Sequence, residues 1–183
     1  QLETNYEIND GHIFSKDGNT LLMFMTPVFG TGSTGENENL IRILENELQQ
    51  IQKEYLALCD GVTPEEGTID APICRAADSV IERCVDFENG DSAVTHFIRE
   101  WTNGQISLVR VRPETGRTHQ IRVHMKHIGH PLLGDFLYHP EDHSINRQAL
   151  HCASLTFTHP IMGEKLTINA KLPEDMQQLL SQS

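Results

Sequence analysis

The chain has no run of 18 or more apolar residues, and a membrane-spanning helix needs about that many. Its first 30 residues have no basic start leading into an apolar block, so no secretory leader is expected. Cysteine is sparse: Cys59, Cys74, Cys84 and Cys152 are scattered, with no CxxC spacing. That pattern fits reduced thiols in a cytoplasmic protein better than a disulfide framework or a zinc site. Basic residues are also in short supply, 14 against 26 acidic residues, for a net charge of −12. Such a balance argues on its face against a nucleic-acid partner. The deficit is uneven, however. Between residues 106 and 151 six basic residues stand against four acidic ones, a local charge of +2, which leaves −14 for the remainder. A weakly basic face on an acidic body can still hold a phosphate backbone, with weaker long-range steering.

At 183 residues the chain suits one domain with a sizeable core. Turn signals at Asn9-Asp10-Gly11 and Asp17-Gly18-Asn19 flank a strand-like run, Thr20 to Met25. A Gly/Ser/Asn-rich loop over 30–39 leads into LIRILENELQQIQ, where Leu40, Ile41, Leu44 and Leu48 recur at helical spacing. KEYLALC (53–59) alternates as a strand, and DGVTPEEGTIDAP reads as a turn-rich connector. Two further strands, 93–101 and 105–112, flank Thr102-Asn103-Gly104, which predicts a tight hairpin. A helix should follow, capped by Thr118, with Ile121, Met125 and Ile128 as its apolar stripe and Gly129 closing it before Pro131. Strands over 150–157 and 166–170 and a short helix in PEDMQQLL complete the chain. Strands outnumber helices and follow one another as hairpins, so the class is α+β with a mostly antiparallel sheet.

Eight of the ten histidines lie between 119 and 159, which raises metal binding as a possibility. A helical zinc pair wants histidines four apart with a further ligand nearby. His119, His124 and His127 are spaced by five and three, and there is no HExxH. They read as polar-face or RNA-facing histidines, and no metal is expected. The arginines are more suggestive. Arg117 falls at the mouth of the helix, beside backbone N–H groups that attract anions. Arg122 sits one position off the apolar stripe, where a partly desolvated guanidinium needs a carboxylate. Spacing alone also allows an ordinary amphipathic helix with a solvated basic face.

TGRTHQIRVHMKHIGHPLLGD followed by RQALHCASLTFTHP closely resembles the C-terminal signature of the RluA family of RNA pseudouridine synthases. QKEYLALCDG, EEGTIDAPI and SAVTHF resemble its earlier segments in the same order, so the likeness runs from about Gln49 to Leu180. The fold it implies is the α+β pseudouridine-synthase catalytic domain, a long bent, mixed but mostly antiparallel sheet with flanking helices. On that reading 1–183 is one domain, family-like over 49–183 and divergent or incomplete over 1–48. The implied activity is isomerisation of specific uridines in ribosomal or transfer RNA. An aspartate attacks the uridine, the glycosidic bond breaks, the base turns, and C5 joins the ribose. No cofactor and no metal are implied, and monomer is the default state.

The resemblance assigns Arg122 to ion-pair with the nucleophile, which keeps a carboxylate charged in a closed pocket. It makes Tyr55 the tyrosine that packs on the flipped base. Arg117, His119, Gln120, His124 and Lys126 form the expected RNA-contacting set. The family's nucleophile lies in an RLD motif, and this chain has no RLD. One alignment lays FSKDGNTLLMF on that motif, with Ser15 at the nucleophile position and Asp17 the nearest carboxylate. The other places the break between Leu48 and Ile51. An inactive RNA-binding relative that lacks the nucleophile is the competing expectation.

Overall fold

The structure, a computed structural model, describes residues 6–9, 12–15, 21–22, 51–77, 79–158 and 163–181. The chain divides into two compact units, 1–46 and 47–183. In the first, strands β1 (Tyr6–Asn9), β2 (His12–Ser15) and β3 (Leu21–Leu22) form an antiparallel sheet in that order. Asn9 pairs with His12, and Ile13 with Leu22. The helix expected from Leu40 lies outside the described residues, and Gln52 already belongs to a strand.

The second unit is built on a six-stranded antiparallel sheet. Its strands are β4 (Gln52–Asp60), β5 (Glu66–Asp70), β8 (Val94–Thr102), β9 (Ile106–Pro113), β10 (Leu150–Thr158) and β11 (Lys165–Asn169). Their order across the sheet is β11-β10-β4-β9-β8-β5. A separate two-stranded hairpin pairs β6 (Ile73–Arg75) with β7 (Arg83–Val85). Every pairing between the described strands is antiparallel.

Alternation along β4 and β9 assigns side chains to the two faces. Ala57, Cys59, Val109 and Val111 share one core cluster with Phe97, Ile121, Met125 and Leu132, and Tyr55 packs at its margin. Leu58 faces the other way and joins Leu133, Ala149 and Met176, with Ile106 and Leu108 against them. Helix α1 (Gln120–His127) therefore covers the first face. Helix α2 (Glu174–Ser181) covers the second through Met176, Leu179 and Leu180. Two apolar layers on opposite sides of one sheet make the α+β architecture.

The hairpin joining β8 to β9 forms where Thr102-Asn103-Gly104 predicted it. Asn103 Oδ1 accepts the N–H groups of Gln105 and Ile106, each at 2.8 Å. Two expectations need correction. The connector after Asp60 contains the edge strand β5, whose Gly67, opposite Phe97, breaks the apolar alternation that marks a strand. Thr118 does not cap α1; it is exposed, and His119 occupies the cap position with φ 57° and no side-chain cap bond. The Gln120 side chain instead fixes the approach to the helix, since its Oε1 accepts the Arg117 N–H at 2.9 Å. The helix closes as expected. Gly129 adopts φ +85°, and His130 N–H reaches back to the Met125 carbonyl at 2.9 Å, a Schellman ending that glycine favours.

Candidate active site around Arg122

Arg122 projects from α1 and is buried, as its position beside the apolar stripe foretold. A buried guanidinium is costly without a carboxylate, and it has one. Its Nε donates to Asp135 Oδ2 at 2.7 Å and its Nη2 to Asp135 Oδ1 at 2.6 Å, a bidentate fork. Asp135 follows Gly134, whose φ of +64° and tight packing against the backbone of Ile145 and Arg147 leave no room for a Cβ. That turn carries the carboxylate back to α1. Asp135 is fully buried, and its Oδ1 also accepts the N–H groups of Leu137 and Tyr138 at 3.1 Å. Burial pushes its pKa up. The Arg122 guanidinium and the two backbone donors outweigh burial and hold the carboxyl below the usual range.

Aromatic rings line this pair. The Arg122 guanidinium carbon lies 4.8 Å from the Tyr138 ring centroid and 5.8 Å from that of Phe136, a largely exposed side chain. Lys126 Nζ stands 5.6 Å from the Tyr138 ring. The Tyr138 hydroxyl accepts the Arg83 N–H at 2.9 Å and has one hydrogen left to donate to His119 Nδ1, also at 2.9 Å. That bond suits the His119 tautomer with its hydrogen on Nε2. Burial, reinforced by Arg122 and Arg83, lowers its pKa and keeps it neutral. It is also the one non-glycine residue with positive φ among those described. Such a backbone costs about 1–2 kcal/mol and persists where surrounding contacts hold it, here the bond to Tyr138.

The expected site residues that the structure describes divide into three groups. Arg122 stands on the helix whose Ile121 and Met125 share a core cluster with Tyr55, which is half-buried and has its pKa raised by burial and by Cys152. Arg117 and Lys126 are exposed, and His119 is partly so. Gln120 and His124 are buried, which corrects their assignment as RNA-contacting residues. Gln120 Oε1 accepts from Thr115 Oγ1, and its Nε2 donates to the Val94 carbonyl and to Thr95 Oγ1. His124 Nε2 donates to the Ala71 carbonyl at 2.8 Å, and its Nδ1 accepts from Thr95 Oγ1 at 2.8 Å. The two side chains rivet α1 to the sheet and have no hydrogen-bonding capacity to spare. Asp17 lies outside the described residues, and Ser15 ends β2.

Sequence reasoning missed Asp135, Phe136, Tyr138 and Arg83. Asp135 stood at the end of the matched GHPLLGD segment, but a partner 13 residues from Arg122 depends on the path of the intervening turn. No group of histidine, cysteine, aspartate or glutamate able to hold a metal occurs among the described residues.

Residues 34–127 match the sequence pattern of a family described as RNA pseudouridylate synthase. The chain belongs to that family. It is 47% identical over 131 residues to YjbO of Bacillus subtilis, described as an uncharacterised RNA pseudouridine synthase; the match covers 71% of this chain and 46% of the relative. It is 40% identical over 139 residues to ribosomal large subunit pseudouridine synthase D of Zymomonas mobilis, covering 70% and 44% respectively. The chain thus spans about half the length of the curated relatives it matches. The solved structure of human RNA pseudouridylate synthase domain containing 1 superposes with a TM-score of 0.60 at 23% identity, covering 82% of this chain and 72% of that one. This likeness bears out the fold class expected from the sequence.

Proposed function

We propose that the chain carries out the isomerisation of uridine to pseudouridine in ribosomal or transfer RNA, with an aspartate as nucleophile. The carrying observation is the buried Arg122 flanked by the Tyr138 and Phe136 rings, on the helix whose Ile121 and Met125 pack in the same core cluster as Tyr55. Two of its three guanidinium nitrogens bind Asp135, and Nη1 has no hydrogen-bond partner among the described residues. Asp135, sealed and fully bonded, is a positioning residue: it orients Arg122 so that Nη1 is free to pair with the attacking carboxylate. The exposed Phe136 ring and the half-buried Tyr55 offer apolar surfaces on which a flipped base stacks. The reading carries no cofactor and no metal, and it takes the enzyme as a cytoplasmic monomer.

One observation favours a second reading, an RNA-binding relative without activity. The chain contains no RLD, and the only carboxylate bonded to Arg122 among the described residues is the buried Asp135. Forming pseudouridine breaks the uracil C5–H bond, so RNA tritiated at uridine C5 separates the two. Tritium release that falls more than tenfold in Arg122→Lys, a loss above about 1.4 kcal/mol, supports the enzyme. RNA binding without release supports the second reading, and the absence of both sinks them together.

A further inference from the structure

Among the described residues six arginines have a carboxylate within ion-pair distance: Arg99, Arg110, Arg112, Arg117, Arg122 and Arg147. Arg75 and Arg83 have no carboxylate partner among the described residues, although the chain carries a net charge of −12. These two lie directly opposite each other on the β6–β7 hairpin. The Arg83 N–H turns outward to Tyr138 instead of crossing to β6, so this is a non-hydrogen-bonded pair. At such a pair the Cα atoms come within about 4.5 Å and the side chains share one face. Like charges directly opposite destabilise a hairpin unless something of opposite charge lies between them.

Both arginines line a cavity of about 310 Å³, together with Arg117, Thr118 and Asp91. Arg117 Nε is held by the Ser92 carbonyl at 3.0 Å, and its Nη1 stands 3.8 Å from Asp91, a long and exposed contact. Arg83 Nη1 is held by the Glu82 and Ile81 carbonyls, which leaves Nε and Nη2 without partners among the described residues. Three guanidinium groups against one carboxylate give the cavity a net positive charge. The forked donors of arginine suit phosphate oxygens.

One residue links the hairpin that lines the cavity to Arg122. Tyr138 takes the Arg83 N–H on its hydroxyl and lies under the Arg122 guanidinium with its ring. We propose that Arg75, Arg83 and Arg117 form a cradle for the RNA backbone phosphate next to the nucleotide that enters the Arg122 site. This inference rests on the RNA-modifying reading and extends it to the strand flanking the target. The bound phosphate supplies the charge that the Arg75–Arg83 pair lacks.

The test uses Arg75→Glu in the full chain, with Lys165→Glu on edge strand β11 as a control of equal charge change. Arg75→Glu places opposite charges across the hairpin, so its melting temperature should match or exceed that of the original protein, which shows that it folds. Its affinity for an RNA stem-loop should fall at least tenfold. The slope of log affinity against log salt should become shallower by about 0.7, the loss of one neutralised single-strand phosphate. Lys165→Glu should change affinity less than twofold. Equal losses in the two variants, or no loss in Arg75→Glu, would overturn the cradle while RNA binding itself stands. Inorganic phosphate that raises the melting temperature only when Arg75 is present, with RNA affinity unaffected by the variant, would assign the cavity to free phosphate and overturn the RNA role. Failure of the original protein to bind RNA at low salt would bring down the functional reading and the cradle with it.

Discussion

At the scale of single residues, the Arg122–Asp135 pair governs both stability and chemistry. Arg122→Ala leaves a fully buried carboxylate without its cation, which costs about 3–5 kcal/mol. The urea midpoint should fall accordingly, and Asp135→Ala should show a comparable loss from the other side. A double replacement by apolar residues should recover part of the stability, since the penalty belongs to the orphaned charge. Loss of stability below about 1 kcal/mol in Arg122→Ala would mean that the pair is solvated. Titration of two histidines, one buried and one half-buried, sets a second expectation. Burial depresses the pKa values of His119 and His124 below the ordinary 6.5. As pH falls through about 6.5 the unfolded chain takes up protons that the folded chain refuses. The contribution of both imidazoles is complete above that value and is lost as pH drops toward the folded pKa. The urea midpoint should therefore be lower at about pH 5.5 than at about pH 7.5. His124→Gln should shrink the difference, and a flat profile would contradict the buried neutral state.

At the scale of elements, each helix is fixed to the sheet by a different kind of contact. For α1 the polar chain from Gln120 and His124 through Thr95 to Ala71 and Val94 supplements the apolar stripe. Gln120→Ala strands the Arg117 N–H and removes the acceptor of the Thr115 hydroxyl, and should destabilise by about 1–3 kcal/mol. Amide exchange over residues 115–127 would rise if this chain clamps the helix. For α2 the anchor is apolar. Met176 is fully buried between Leu58 and Ala149, so Met176→Ala should cost about 2–5 kcal/mol in thermal unfolding. A cost under about 1 kcal/mol would show that α2 rests loosely on its face.

At the scale of the whole molecule, charge is the deciding quantity. A chain at −12 repels RNA at long range, yet the arginines without a carboxylate partner among the described residues gather on one hairpin. Binding should therefore be short-ranged and fall steeply with salt. Affinity for an RNA stem-loop, followed between about 50 and 200 mM salt, should drop by at least tenfold if a few phosphates are neutralised. A flat response would place the RNA elsewhere or remove it from the account.

The sequence determined what depends on local order along the chain. The Asn-Gly hairpin, the Ile121/Met125 stripe, the Gly129 ending and the demand of Arg122 for a carboxylate are all consequences of nearest neighbours. The ordered motifs over 49–180 likewise identified the family. Tertiary structure decided which groups meet. Whether Gln120 and His124 face solvent or the sheet depends on how α1 rolls against β8, a rotation that periodicity allows in either sense. The partner of Arg122 depends on the Gly134 turn, and the pairing of Arg75 with Arg83 depends on the register of a hairpin with no strand signal of its own. These contacts form between segments far apart in sequence, where burial and charge balance across the folded sheet, not local propensity, choose the partner.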